Sequence, residues 1–311
     1  MTTDGVCSSS YVVRGFPRWS AMVLSALFLS SVSNAEDLEQ RRFDWDIISL
    51  EQNNNRFNGS VLSGFHSIRS PGVTPAGAWK TGLGVLFSHE EQTATSGGSQ
   101  RSLETDLLII NPKINYGFYE RFEIGLGLEA NYATGETVDK AGGGSVTTEG
   151  NDNFNLSSAV GGVKWNFFRG SKLRVATSFD TRVATRKEQF GMLPATVFNF
   201  EFDADYAVTR ALSIVSNLQL MTSDETVVND QVVFDLAADY SFSDEFRGML
   251  FGTIQEDDEA DAAVLFFGLA GQYVFEQHSF TLALDFQLND ARREVRTESQ
   301  IDLEFSYTFT F

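Results

Sequence analysis

From residue 77 to the last residue the chain alternates between apolar and polar side chains. Over 121–133, Phe122, Ile124, Leu126, Leu128, Ala130 and Tyr132 fall on one face, and Glu123, Gly125, Gly127, Glu129 and Asn131 on the other. Over 196–208, Phe198, Phe200, Phe202, Ala204 and Tyr206 alternate with Asn199, Glu201, Asp203 and Asp205. Phe280, Leu282, Leu284, Phe286 and Leu288 alternate with Thr281, Ala283, Asp285, Gln287 and Asn289. Successive side chains of a strand point to opposite faces, so each segment presents one apolar and one polar surface. A single such strand suits any half-buried sheet. About twelve in succession, near 77–90, 103–118, 121–133, 154–168, 171–186, 195–208, 210–222, 230–243, 246–256, 261–275, 278–290 and 299–311, predict an all-β fold: a closed antiparallel transmembrane β-barrel, apolar outside and polar inside. The segments 246–256 and 261–275 are the least regular, with apolar residues on both faces. No run of about 18 apolar residues offers a transmembrane helix.

The connections alternate as well. Short turns follow the even-numbered segments, at Tyr119-Glu120, Arg169-Gly170, Thr209, Asp244-Glu245 and Glu276-Gln277. Longer loops follow the odd-numbered ones, at 91–98, 134–153, 187–193, 224–229, 257–260 and 291–298. Outer-membrane barrels have short periplasmic turns and longer external loops, so an even strand count places both barrel ends in the periplasm. The longest loop carries Gly142-Gly143-Gly144-Ser145 and reads as a mobile surface segment. The final segment alternates Leu303, Phe305, Tyr307, Phe309 and Phe311 with Asp302, Glu304, Ser306, Thr308 and Thr310. A last strand ending on phenylalanine resembles the C-terminal signature read by the outer-membrane assembly machinery.

The start of the chain has a different pattern. Arg14 and Arg18 precede an apolar run over 21–32, and Ser33-Asn34-Ala35 supplies the small residues of a cleavage site. This is the layout of a secretory leader. The expected organisation is therefore a signal peptide at 1–35, an N-terminal periplasmic or luminal segment at 36–76, and the barrel at 77–311. The only cysteine, Cys7, falls in the leader, leaving the exported part without thiol chemistry or disulfides. Losing Arg14, Arg18 and Asp4 would take the net charge from −19 to −20. Such an acidic chain is a poor ligand for nucleic acid, whose affinity for proteins comes largely from phosphate neutralisation. The 36–76 segment holds Asn53-Asn54-Asn55, an apolar patch at Val61, Leu62 and Phe65, and Pro71 and Pro75. Folded inward it would act as a hatch; folded outward it would be a tail.

Function in a barrel is argued from the lumen, since the fold hosts channels, enzymes and anchors alike. With the polar faces turned inward, the first five segments contribute Lys80, Lys113, Lys164, Arg174 and Arg182, with Glu123, Glu129 and Asp180. The remaining segments contribute Glu201, Asp203, Asp205, Asp235, Asp239, Asp285, Asp302 and Glu304, with Arg247 as the basic exception. One arc is mixed or basic and the other acidic. Facing arcs of opposite charge set a transverse field that orients polar solutes, and the acidic excess favours cations. Lys113, Lys164, Arg174 and Arg182 facing Glu201, Asp203, Asp235 and Asp239 are the candidate solute contacts. The same charges could instead pair across a narrow lumen and fill it, because side chains fill a barrel of about eight strands while sixteen leave a channel.

An outer-membrane hydrolase is the remaining alternative. Nucleophilic catalysis needs a nucleophile beside an oriented base. Only His66, His89 and His278 are available, and the adjacent Ser88 and His89 point to opposite faces of their strand. No catalytic set, cofactor motif or metal-ligand spacing stands out. The acidic stretch Glu256-Asp257-Asp258-Glu259 with Asp261 reads as a solvated loop before it reads as a Ca²⁺ site. The expected partners are the lipid bilayer, lipopolysaccharide, the assembly machinery and a small-molecule solute.

Three short stretches invite comparison with known proteins: Gly72-Val73-Thr74-Pro75-Ala76-Gly77-Ala78-Trp79, Ile114-Asn115-Tyr116-Gly117-Phe118-Tyr119-Glu120-Arg121-Phe122-Glu123-Ile124, and Ala159-Val160-Gly161-Gly162-Val163-Lys164-Trp165. The chain resembles the transporter-like outer-membrane proteins grouped as the MetA-pathway phenol-degradation family. In that family a proline-alanine-glycine lead-in, a tyrosine-glycine hairpin ending in arginine, and a glycine–apolar–lysine–aromatic strand recur. The resemblance implies a porin-like transporter of the bacterial outer membrane, with small aromatic compounds as its solutes.

Overall fold

A computed structural model describes residues 71–96, 99–141, 144–151, 154–184, 196–223, 230–257, 262–290 and 295–311. The expected leader, most of the 36–76 segment, and Asp258, Glu259 and Asp261 of the acidic loop lie outside these residues.

Thirteen strands follow one another: β1 Trp79–Ser96, β2 Ser99–Tyr119, β3 Phe122–Ala141, β4 Gly144–Asn151, β5 Asn155–Arg169, β6 Leu173–Ala184, β7 Val197–Ala207, β8 Leu212–Ser223, β9 Gln231–Ser241, β10 Phe246–Asp257, β11 Ala262–Phe275, β12 His278–Asp290 and β13 Val295–Thr310. Twelve of them, all but β4, form a closed antiparallel barrel. Each pairs with its sequence neighbour, β3 pairs with β5, and β1 pairs with β13 to close the ring. At the seam the N–H of Trp79 donates to the carbonyl of Phe311 and the N–H of Phe311 to that of Trp79, both at 2.8 Å. Closure leaves no barrel edge to hydrogen-bond with lipid, the condition a membrane-spanning sheet has to meet.

Period-two alternation becomes inside and outside without exception along β7: Phe198, Phe200, Phe202 and Tyr206 are exposed, while Asn199, Glu201, Asp203 and Asp205 are buried. The nine residues from Phe198 to Tyr206 match the roughly 9–11 tilted residues that a strand needs to cross a bilayer. Leu126 at 67 % and Leu282 at 55 % exposure show how open this outer surface is. It is the apolar belt of an outer-membrane protein. Near the short-turn end the belt becomes aromatic. Trp79 lies over Tyr116 at 4.6 Å, Phe122 stacks on Trp165 at 5.6 Å, and Phe280 lies 5.1 Å from Tyr307. Rings with an apolar body and a polar tip suit the membrane–water boundary.

The short turns at 120–121, 170–172, 208–211, 242–245 and 276–277 share one end with Trp79 and Phe311, which marks that end as periplasmic. Side-chain oxygens close two of them. Thr209 Oγ1 accepts from the N–H groups of Ala211 and Leu212 at 3.2 and 3.0 Å, and Ser243 Oγ accepts from Glu245 and Phe246 at 3.3 and 3.0 Å.

Two expected loops are corrected at the opposite end. Residues 91–96 of the loop placed at 91–98 continue the β1–β2 ladder, which pairs as far as Ser96 with Ser99. Within the loop placed at 134–153, expected as a mobile surface segment, residues 134–141 and 144–151 are paired antiparallel strands. β3 runs on to Ala141 and β4 returns along its upper half, from Ala141 opposite Gly144 to Thr134 opposite Asn151. The apolar–polar alternation of the sequence stops before these strands end. The backbone ladder needs no apolar face and continues.

Candidate functional site

The lumen is the site. β5 brings Lys164 and Asn166 inward, β6 Arg174, Ala176, Ser178, Asp180 and Arg182, and β7 Asn199, Glu201, Asp203 and Asp205. Lys164, Glu201, Asp203 and Asp235 have no exposed surface at all. A wide aqueous lumen would leave such groups wet, so the interior is crowded at their level.

The charges are organised in pairs. Lys164 Nζ lies 2.8 Å from Asp203 Oδ2. Asp203 is on β7, at the level of Ala176 on the intervening β6. The small inward side chain of Ala176 leaves the lysine room to cross that strand. Asn217 Nδ2 donates to the other oxygen of Asp203 at 2.6 Å. Next to this pair, Arg174 bonds Asp205 on the neighbouring strand, and Arg182 lies 3.4 Å from Glu129. Asn199 Nδ2 donates to Asp180 Oδ2 at 3.1 Å, and Thr253 Oγ1 donates to Asp235. Buried charges of this kind persist only when partnered, because each carries a desolvation penalty of several kcal/mol.

All eight candidate solute contacts are on the inner wall. Lys113, Lys164, Glu201, Asp203, Asp235 and Asp239 are buried, and Arg174 and Arg182 are partly so. Lys113 lies over Gly82 on β1, where a Cβ would come within 2.8 Å of its Cε. The inward glycine thus makes room for the lysine stem. On the acidic arc Asp285 of β12 sits directly opposite Asp302 of β13. The basic and acidic arcs are not separate throughout: at the β5–β7 sector, cations and carboxylates interleave.

Two features escaped the alternation pattern. The first is an apolar patch on the inner wall, formed by Val215, Ala237, Met249, Phe251, Ala270 and Ala283. Phe251 packs over Gly268 so closely that a Cβ there would lie 2.2 Å from its Cζ. The irregular segments 246–256 and 261–275 were its signal, since apolar residues on both faces mean that some of them point inward.

The second is the lead-in at 71–76. Pro71, Gly72, Val73 and Thr74 are all buried, at the periplasmic end of the barrel. The N–H and the hydroxyl of Thr74 both donate to Glu123 Oε2, at 2.6 and 2.7 Å. Asn166 Nδ2 donates to the carbonyl of Pro71 at 2.9 Å. Ala76 forms a parallel bridge with Gly117, and the N–H of Gly77 donates to the carbonyl of Gly117 at 2.8 Å. Gly77 has φ +79°, a conformation that costs glycine little and that turns the strap into β1. Glu123 reads as a luminal polar residue in the sequence; that a neighbouring segment uses it was not visible there.

His89 and His278 lie apart from this interior, and His66 is outside the described residues. His89 faces outward and its Nδ1 lies 2.8 Å from Asp106 Oδ1, whereas Ser88 is buried on the inner face. His278 Nδ1 lies 2.9 Å from the Tyr307 hydroxyl. Among the described residues no cluster of three or more His, Cys, Asp or Glu is placed to hold a metal ion.

The chain matches no family model and no curated protein. Among solved structures, an outer-membrane channel from Pseudomonas putida F1 is similar with a TM-score of 0.53, at 10 % identity, over 76 % of this chain and 96 % of that one. The KdgM porin follows at TM-score 0.43, 10 % identity, 73 % of this chain and 99 % of that one. The CymD monoaromatic hydrocarbon channel gives 0.41 at 12 % identity, over 76 % and 89 %. At these identities the likeness to the Pseudomonas channel is one of fold: an outer-membrane barrel.

Proposed function

We propose that this barrel is a narrow, selective outer-membrane channel that passes small solutes passively through a charged lumen. The observation that carries the reading is the inner wall. An inert anchor needs only an apolar exterior, yet here ionisable groups recur along the whole interior, from Glu123 and Arg174 near the periplasmic turns to Asp285 and Asp302 further out. Ionisable side chains at membrane depth are costly and mark solute or ion pathways. The excess of carboxylates on β9, β12 and β13 favours cations. Small aromatic compounds are the solute class that the family resemblance implies, and the patch around Phe251 and Met249 offers them an apolar surface.

The second reading is a plugged or structural barrel. It is favoured by the complete burial of Lys164 and Asp203, which pair with each other on the inner wall. The C-terminal strand ending in Phe311 is the proposed signal for the assembly machinery, and lipopolysaccharide the proposed neighbour of the belt at its outer edge. The test of transport is the conductance of refolded 36–311 in a planar bilayer under a KCl gradient. Steady steps with a cation-selective reversal potential are expected. Silent barrels that have inserted fully would refute the channel and leave the structural reading.

A further inference from the structure

We infer that residues 71–76 form a strap clasped inside the periplasmic mouth by Glu123, and that release of this clasp sets the opening of that end of the lumen. The inference rests on the channel reading for what release does to a solute; the clasp itself does not depend on it.

Four observations converge on the strap. Its buried part, Pro71 to Thr74, lies inside the barrel and not along its wall, because its partners Glu123 and Asn166 are inward residues of β3 and β5. Its attachment is polar and local. One carboxylate oxygen accepts both donors of Thr74, and one amide holds the Pro71 carbonyl. Hydrogen bonds to an ionised acceptor are about twice as strong as neutral ones, so Glu123 is the strongest of these attachments. The wall is shaped for the crossing. At Gly117 a Cβ would stand 2.0 Å from the Pro75 carbonyl oxygen and 2.5 Å from that of Thr74, so the strap occupies the space a side chain would need. Finally, the apolar contribution is small: Val73 is the one large apolar side chain among the four buried residues. A segment held by a few hydrogen bonds and little apolar area belongs to the low-stability end of a structure, where local opening occurs without global unfolding.

The strap therefore crosses the sector of the mouth bounded by β1, β2, β3 and β5, beside the basic residues Lys80 and Lys164, both neighbours of Glu123. Opening it would widen the periplasmic exit of the lumen on that side while leaving the ladder of the barrel intact. A solute reaching Glu123 and competing for its carboxylate would release the clasp, which suits a cationic or hydrogen-bond-donating solute.

The test uses thiol accessibility, which requires no transport. Val73→Cys, in a chain lacking Cys7, places a probe on the buried strap, and labelling by a water-soluble maleimide is followed in refolded protein. Slow labelling is expected with the clasp intact. Glu123→Ala removes the acceptor, and Gly117→Val drives a side chain into the Pro75 and Thr74 carbonyls. Each should speed labelling by about tenfold or more, the factor expected for losing a charge-assisted hydrogen bond. Thr74→Val, which keeps the N–H donor, should give a smaller rise and serves if either other variant fails to fold, as judged by heat-modifiable migration. Equal, slow labelling in folded Glu123→Ala, Gly117→Val and Thr74→Val would overturn the clasp, and so would fast labelling with the clasp intact. In bilayers the released variants should show larger or longer openings. If labelling rises and every variant stays silent, the clasp stands and the channel reading falls.

Discussion

Asp203→Ala cuts the buried ion pair that joins β5 to β7 on the inner wall, and its cost can be worked from the geometry. Lys164 Nζ and Asp203 Oδ2 are 2.8 Å apart, and neither side chain has exposed surface. Removing the carboxylate leaves a buried ammonium without the counter-charge 2.8 Å from it, a change that costs about 3–5 kcal/mol in buried pairs. Asn217 loses its acceptor at the same time, but that loss is part of one network and does not add fully. Lys164→Met should cost a similar amount, since it leaves the carboxylate behind. The double variant Lys164→Met/Asp203→Leu removes both charges and should recover most of the loss, because replacing a whole buried pair by apolar residues is often neutral or stabilising. Urea unfolding of the refolded barrel in phospholipid, followed by tryptophan fluorescence, yields the three differences and the coupling between them. Trp165, beside Lys164 on β5, reports from the outer face of the same strand. If Asp203→Ala costs under about 1 kcal/mol, the value for solvent-exposed pairs, water reaches this level of the lumen and the interior is not crowded there.

Two further outcomes follow from other parts of the wall. Asp285→Asn relieves a carboxylate placed directly opposite Asp302, so it should stabilise the barrel by about 0.2–1 kcal/mol in the same unfolding assay; in a conducting barrel it should also move the reversal potential toward zero, and an unchanged potential would place the selectivity elsewhere. Gly268→Ala forces a methyl into the ring of Phe251 and should cost about 1–3 kcal/mol through overpacking. The added Phe251→Leu change should restore part of that loss, and no rescue would mean that the strain comes from the backbone instead.

Much of this protein is written in its residue order. The closed barrel, the side of the wall on which each of Glu123, Lys164, Asp203 and Asp285 sits, and the separation of Ser88 from His89 all follow from period two, since a residue's parity within a strand decides whether it meets lipid or lumen. Parity is local, so it survives errors in strand ends and loop lengths. It is silent about which inward residues meet. Lys164 reaches Asp203 across β6, Phe251 covers Gly268, and Thr74 meets Glu123 because antiparallel register and closure of the ring bring distant positions to one level. The ladders at the far ends of β1, β2 and β3, and β4 with them, were equally hidden, because backbone pairing continues there without the alternation that marks the belt. The order of residues by itself determined a membrane barrel with a charged interior. Only the tertiary structure decided that those charges pair, that an apolar patch interrupts them, and that the lead-in turns inward, because each depends on contacts between residues that only the closed sheet brings together.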